Sequence, residues 1–134
     1  VGVGFLFATE ASPLDLLEIV QRTARAGAQR ITVYDTTGEA ETISLRTTPE
    51  ELIAEVGVPL FFHARNHLAQ AAANSWAAVL AGARGLGVSI QGFAAGAGNA
   101  SLEQVAELLE RNGVPTGVVP GELAKLGELK DPGE

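Results

Sequence analysis

The sequence contains no cysteine and no methionine, which excludes disulfide staples, thiolate nucleophiles and Cys-ligated zinc. Basic residues are also in the minority. Lys and Arg number 9 against 16 Asp and Glu, and the net charge of −7 argues against a nucleic-acid surface, which needs clustered cations. No apolar run reaches the roughly 20 residues of a membrane span, and the N-terminus lacks the basic region of a signal peptide. A soluble, cytoplasmic protein with neither a nucleic-acid nor a membrane partner is the expectation. Residue 1 is Val rather than Met and an apolar strand opens at once, so the chain is expected to begin inside a larger sequence.

What is present is an apolar content of 46% in 134 residues, enough for one folded domain. The 16 Gly and 6 Pro are spread between periodic segments, as frequent tight turns between short elements require. Segment 1–7 is an apolar strand. Ser12 then caps a helix that Pro13 opens, with Leu14, Leu17, Ile19, Val20 and Ala24 at helical spacing as far as Gly27. The unit repeats. Segment 30–34 is a β-branched strand followed by Asp35-Thr36-Thr37-Gly38, and Thr48-Pro49-Glu50 starts a second capped helix. A third strand over 58–63 leads into an Ala-rich helix over 68–82, with Trp76 and Val79 on its apolar side. A fourth strand over 86–91, a Gly-rich loop over 92–99 and a helix opened by Ser101 and carrying Val105, Leu108 and Leu109 complete the series.

Four strand–helix units with non-alternating, apolar strands predict an α/β fold with a parallel sheet covered on both faces. Eight such units close a barrel of about 250 residues, so four make half of one. An open dinucleotide-binding sheet would carry G-x-G-x-x-G after its first strand, whereas Gly2 and Gly4 lie within the strand itself. The domain reading is a half-barrel over 1–113 and a C-terminal extension over 114–134 with a partly disordered tail.

His63-Ala64-Arg65-Asn66-His67-Leu68 through Ala73-Asn74-Ser75 is similar to the H-x-H-N-D-L run, ending in A-N-S, of the metal-dependent aldolase, lyase and Claisen-condensing barrels. That superfamily includes 4-hydroxy-2-oxovalerate aldolase, isopropylmalate synthase and the hydroxymethylglutaryl-CoA lyases. Residues 92–100 resemble its G-x-G-x-x-A-G-N-A loop, Asp35-Thr36-Thr37-Gly38 its D-T-x-G after the sixth strand, and the Glu10 region its loop after the fifth. The resemblance therefore implies the C-terminal half of a (βα)8 TIM barrel. It also implies activity on C–C bonds of 2-oxo or hydroxy acids, with Mg²⁺ or Mn²⁺ held by an Asp after the first strand, both His of H-x-H and the loop Asn. His63 and Asn99 match two of those ligands. Arg65 stands at the second His, and the Asp belongs to a half that this chain does not contain.

Residues two apart on a strand share a face, so His63 and Arg65 point the same way. A guanidinium has no lone pair to give and stays charged, so Arg65 cannot be a ligand and its charge opposes a divalent cation. Three arrangements remain open at this rim. His67 is recruited as a further ligand; Arg65 replaces the metal's charge beside a proton-transferring His63, with Asp35 orienting either one; or Arg65 and Asp35 form an ion pair that fills a vacated pocket. Glu10, at another strand end, is either an acid/base group or a solvated loop carboxylate. Gly96, Gly98 and Asn99 line a loop whose N–H groups could meet an anion at a helix N-terminus, and Asn74 could bond a neighbouring loop.

Two functions compete. One is an aldolase or lyase half, inactive alone, that combines with a complementary N-terminal half-barrel. The other is a non-catalytic half-barrel, excised or engineered, that pairs with itself as a homodimer to close eight strands.

Overall fold

The computed structural model describes residues 1–6, 8–40 and 56–126 of the chain. Strand β1 (Gly2–Phe5) leads through a 3-10 turn (Ala8–Glu10) into helix α1 (Pro13–Arg25), and strand β2 (Arg30–Asp35) follows. Strand β3 (Leu60–Ala64) precedes helix α2 (Ala71–Leu80), and strand β4 (Gly85–Gly87) precedes a second 3-10 turn (Ile90–Gly92) and helix α3 (Leu102–Arg111). The capped helix expected from Thr48 lies outside the described residues. All three strand pairings are parallel and the sheet order is β1-β2-β3-β4, so neighbours in sequence are neighbours in space. This is the expected α/β layout of a partial TIM barrel.

Local chemistry sets the helix starts. The Ser12 hydroxyl accepts the Asp15 N–H at 3.2 Å, with Pro13 in the first helical turn. Helix α2 begins at Ala71, later than the expected 68. Ala69 takes a φ of 56°, which breaks the helical path, and the Asn66 side chain accepts the Ala71 N–H at 3.2 Å. Strand β4 is likewise shorter than expected, because Gln91 adopts a φ of 51° and Ser89 bridges to Ser101 instead. A further helix, α4 (Pro120–Leu126), occupies part of the C-terminal extension, where the sequence pattern gave no element. No helix among the described residues is long and apolar enough to cross a membrane.

Register divides the sheet into two faces. Val33, Phe62 and Leu86 lie side by side on one face, which helices α2 and α3 cover through Ala71, Ala78, Val105 and Leu109. Trp76 packs at the border of that cluster, as its place on the apolar side of the helix suggested. A second cluster joins Ile31 to Val20 of α1, with Val3, Phe5 and Leu60 around it. The other face carries Arg30, Thr32 and Tyr34 of β2 and Phe61 and His63 of β3, flanked by Gly2 and Gly4 on one side and Gly85 and Gly87 on the other. Large side chains of the central strands lean over these glycines. A Cβ on Gly4 would come within 2.8 Å of the Tyr34 ring, and Arg30 stacks over Phe61 at 5.1 Å.

Candidate active site at the C-terminal strand ends

His63 is the inward residue of β3 beside Tyr34 of β2 and Gly87 of β4. The Tyr34 and His63 ring centroids are 5.0 Å apart, tilted by 31°. On its other side the imidazole lies directly over Gly87, where any Cβ would collide with Nδ1. The ring is thus held between an aromatic wall and bare backbone, which aims Nε2 at the loop after β4. That loop returns Asn99 to the site through a backbone bridge to Arg65. Bridge partners carry their side chains on a common face, and the Asn99 Oδ1 lies 3.1 Å from His63 Nε2. His63, Arg65 and Asn99 therefore converge, as their places in the sequence predicted.

The loop is fixed by its own backbone. The Asn99 N–H donates to the Gly92 carbonyl at 2.9 Å, and the Ala100 N–H donates to the Ala64 carbonyl at 3.1 Å. These amides are committed within the fold, so the anion-binding role expected of the 96–100 loop loses two of its donors. Gly96 is exposed and Gly98 is buried. Glu103, which sequence reasoning passed over, ties the loop to α3. Its carboxylate accepts the Gln91 N–H at 2.9 and 3.1 Å and the Ser101 hydroxyl at 2.5 Å. Burial pushes the Glu103 pKa up, but bonds from Ser101, from its own N–H and from Gln91 outweigh that and leave it lowered. A carboxylate with a depressed folded-state pKa stabilises fully above its unfolded value, 4.5, and the contribution is lost as pH falls through the lower folded value. Chemical unfolding of wild type and Glu103→Gln from about pH 6 to pH 3 should show a gap of about 0.5 kcal/mol that closes on acidification. A gap independent of pH would refute this.

The remaining candidates separate from the site. Asp35 is fully buried and stands beside Ala64, on the helix-covered face opposite His63. Its Oδ1 accepts the Thr9 hydroxyl and the Gly38 N–H, each at 3.1 Å, and its Oδ2 has no hydrogen-bond partner. Asp35 accordingly orients neither His63 nor Arg65, and the expected Arg65–Asp35 ion pair does not form. The Arg65 Nη2 donates instead to the Ala95 carbonyl. Glu10 is exposed at the end of its 3-10 turn. His67 is exposed in the turn broken by Ala69 and does not join His63. Asn74 is buried and donates to the Ala40 carbonyl at 2.8 Å, the neighbouring-loop contact its position suggested.

The donor set does not make a metal centre. Two cis ligands on an octahedral ion with bonds of about 2.1 Å lie about 3 Å apart, and the His63–Asn99 spacing of 3.1 Å suits such a pair. The third position, however, holds a cation. A guanidinium about 4 Å from a divalent ion is opposed by roughly 8 kcal/mol at an effective dielectric constant of about 20. Among the described residues no three His, Cys, Asp or Glu side chains converge.

The sequence model of the HMGL-like family matches residues 1–129. The chain belongs to the HMGL-like family. A 4-hydroxy-2-oxovalerate aldolase of Streptomyces griseus is 40% identical over 109 residues, covering 81% of this chain and 32% of that protein. A Serratia proteamaculans protein of the same name is 41% identical over 110 residues, again 81% of this chain and 32% of the relative. The chain thus spans about a third of the length of the curated relatives it matches. The carboxyl transferase domain of Rhizobium etli pyruvate carboxylase, solved with 3-hydroxypyruvate, superposes with a TM-score of 0.80 at 20% identity, over 94% of this chain and 22% of that one. That likeness establishes the fold. Within it, this member of the HMGL-like family holds His63 and Asn99 in contact at the strand ends, with Arg65 bridged to Asn99 through the backbone.

Proposed function

We propose that the chain supplies the C-terminal half of a carbon–carbon lyase of the aldolase kind, acting on 2-oxo or hydroxy acids, and that it turns over no substrate alone. The observation that carries this reading is the convergence of His63 and Asn99 at the C-terminal ends of the four strands among the described residues, where barrel enzymes place their chemistry. Half a rim cannot surround a substrate, and the uncovered inner face calls for a complementary N-terminal half. His63, held against Tyr34, is the group placed to carry a proton beside the reacting carbonyl, and Asn99 fixes its ring. Any Mg²⁺ or Mn²⁺ would need its remaining donors from that other half.

The test mixes this chain with the N-terminal half of a 4-hydroxy-2-oxovalerate aldolase and follows release of the 2-oxo acid from a 4-hydroxy-2-oxo acid. Turnover should be at background for the chain alone and rise at least about 100-fold on complementation. Robust turnover by the isolated chain would sink the claim of dependence, and none in the mixture would sink the lyase assignment. A second reading, self-pairing into a closed eight-stranded homodimer without catalysis, is favoured by the open edges of β1 and β4. A sedimentation mass of one chain would rule it out.

A further inference from the structure

We propose that Arg65 forms a carboxylate-binding site that works without a divalent ion, its guanidinium holding the anionic end of a 2-oxo or hydroxy acid against the His63–Asn99 pair. The proposal rests on the reading of this rim as the substrate end. Three observations point to it.

First, the backbone bridge between Arg65 and Asn99 sets their side chains on one face, and Asn99 in turn meets His63. A cation, a proton carrier and an amide therefore stand together at the ends of β3 and β4. Second, the guanidinium lacks an acidic partner among the described residues. The ion pairs there are Arg22–Glu18, Arg111–Glu107 and Lys125–Glu122, all on the surface, while the Asp35 carboxylate is turned to the far face of the sheet. In a chain with a net charge of −7, a half-buried arginine with no carboxylate partner among the described residues is conspicuous. Third, its surroundings suit an incoming anion. Of its five N–H donors, one described bond uses Nη2, to the Ala95 carbonyl, and this anchors the head while leaving the rest of the fork. The exposed Gly96 lies beside the guanidinium, with its Cβ position 3.6 Å from Nη2, so the head stands at the solvent side of the loop.

A planar guanidinium fork matches a carboxylate in bidentate fashion. Where a metal ion attracts a 2-oxo acid through its carboxylate and carbonyl oxygens, Arg65 can take the carboxylate alone, at one unit of charge. Placing the cation at a former ligand position removes the need for the ion and repels it.

Pyruvate is the probe, titrated in EDTA into the full protein and followed through the Arg65 Nε–H and His63 ring signals in NMR. Acetone, which lacks the carboxylate, serves as the control. The expected result is saturable, EDTA-resistant binding of pyruvate and none of acetone, weakened at least about tenfold by Arg65→Gln and unchanged by Arg84→Gln at an exposed site. Arg65→His should bind pyruvate only when Mn²⁺ is supplied. Wild-type binding that requires Mn²⁺, equal binding of acetone, or Arg65→Gln binding within about twofold of wild type would overturn the proposal. If Arg65→Gln fails to fold by circular dichroism, Arg65→Lys decides, since it keeps the charge but loses the fork. Weaker binding supports bidentate recognition and undiminished binding refutes it. Failure of the lyase reading shows separately, as lost turnover on complementation with EDTA-resistant pyruvate binding intact.

Discussion

Replacing Gly98 with alanine is expected to lower the unfolding free energy by about 3 kcal/mol and to part Asn99 from His63. Gly98 is buried with a φ of +82°, a region that costs a residue with a Cβ about 1–2 kcal/mol. The added Cβ would also lie 2.5 Å from the Gly92 carbonyl oxygen, which is backbone and cannot swing aside as a side-chain tip would. That oxygen accepts the Asn99 N–H, so relieving the clash breaks the bond that positions Asn99, at a further cost of about 1 kcal/mol. Gly96→Ala is the control. Its φ of +70° is similar, but its nearest neighbour is the Arg65 side chain at 3.6 Å, so the strain alone, about 1 kcal/mol, should appear. Denaturant midpoints measure both, and the His63 ring nitrogen shift reports the lost contact with Asn99. Equal costs for the two variants would show that the Gly92 contact contributes nothing.

Ile31→Ala should be costlier still, about 4 kcal/mol, within the 2–5 typical of a buried aliphatic residue cut to alanine. Ile31 has no exposed surface and is the second residue of β2, in register with Val3 on β1 and Leu60 on β3. It is where the cluster around Val20 of α1 meets the sheet, so the cavity has walls on three elements and collapses poorly. A domain stable by about 5–15 kcal/mol loses a large share of its margin to such a change. Leu14→Ala, at a position 75% exposed on α1, should change stability by no more than about 0.5 kcal/mol. Urea unfolding of the two variants is the measurement, and an Ile31→Ala cost below about 1 kcal/mol would mean that this cluster does not hold α1 to the sheet.

Much of this was legible in the residues because it depends on short-range rules. Ser12 followed by Pro13 marks a helix start wherever it falls, and the apolar strands announced a parallel sheet. His63 and Asn99 are brought together by a strand end and the return of the next loop, an arrangement carried by the motifs themselves. The side of the sheet was harder. Asp35 shares the β2 strand end with Tyr34, and only the register with β3 reveals that Tyr34 faces His63 while Asp35 faces the helices. Counting by twos along β2 separates Tyr34 from Asp35 but does not say which of them shares a face with His63. Glu103 reaches 12 residues back to Gln91, and no local pattern signals a capping carboxylate that serves a different loop. The late start of α2 turned on a left-handed Ala69, which side-chain preference alone argues against.

The glycines under the central side chains shape the two borders of the sheet. This half is bulky along its midline, and its border strands β1 and β4 present Gly2, Gly4, Gly85 and Gly87 inward, with Arg30, Tyr34, Phe61 and His63 occupying the space above them. Joining two copies would set β4 of one against β1 of the other, glycine strand against glycine strand, twice per barrel. Such a seam would have no inward side chains of its own to interdigitate, and any volume left open there would cost about 24 cal/mol per Å3. Whatever strand lies beside either border would meet the flanks of those four side chains, so the shape it has to match is set by β2 and β3 rather than by the glycines.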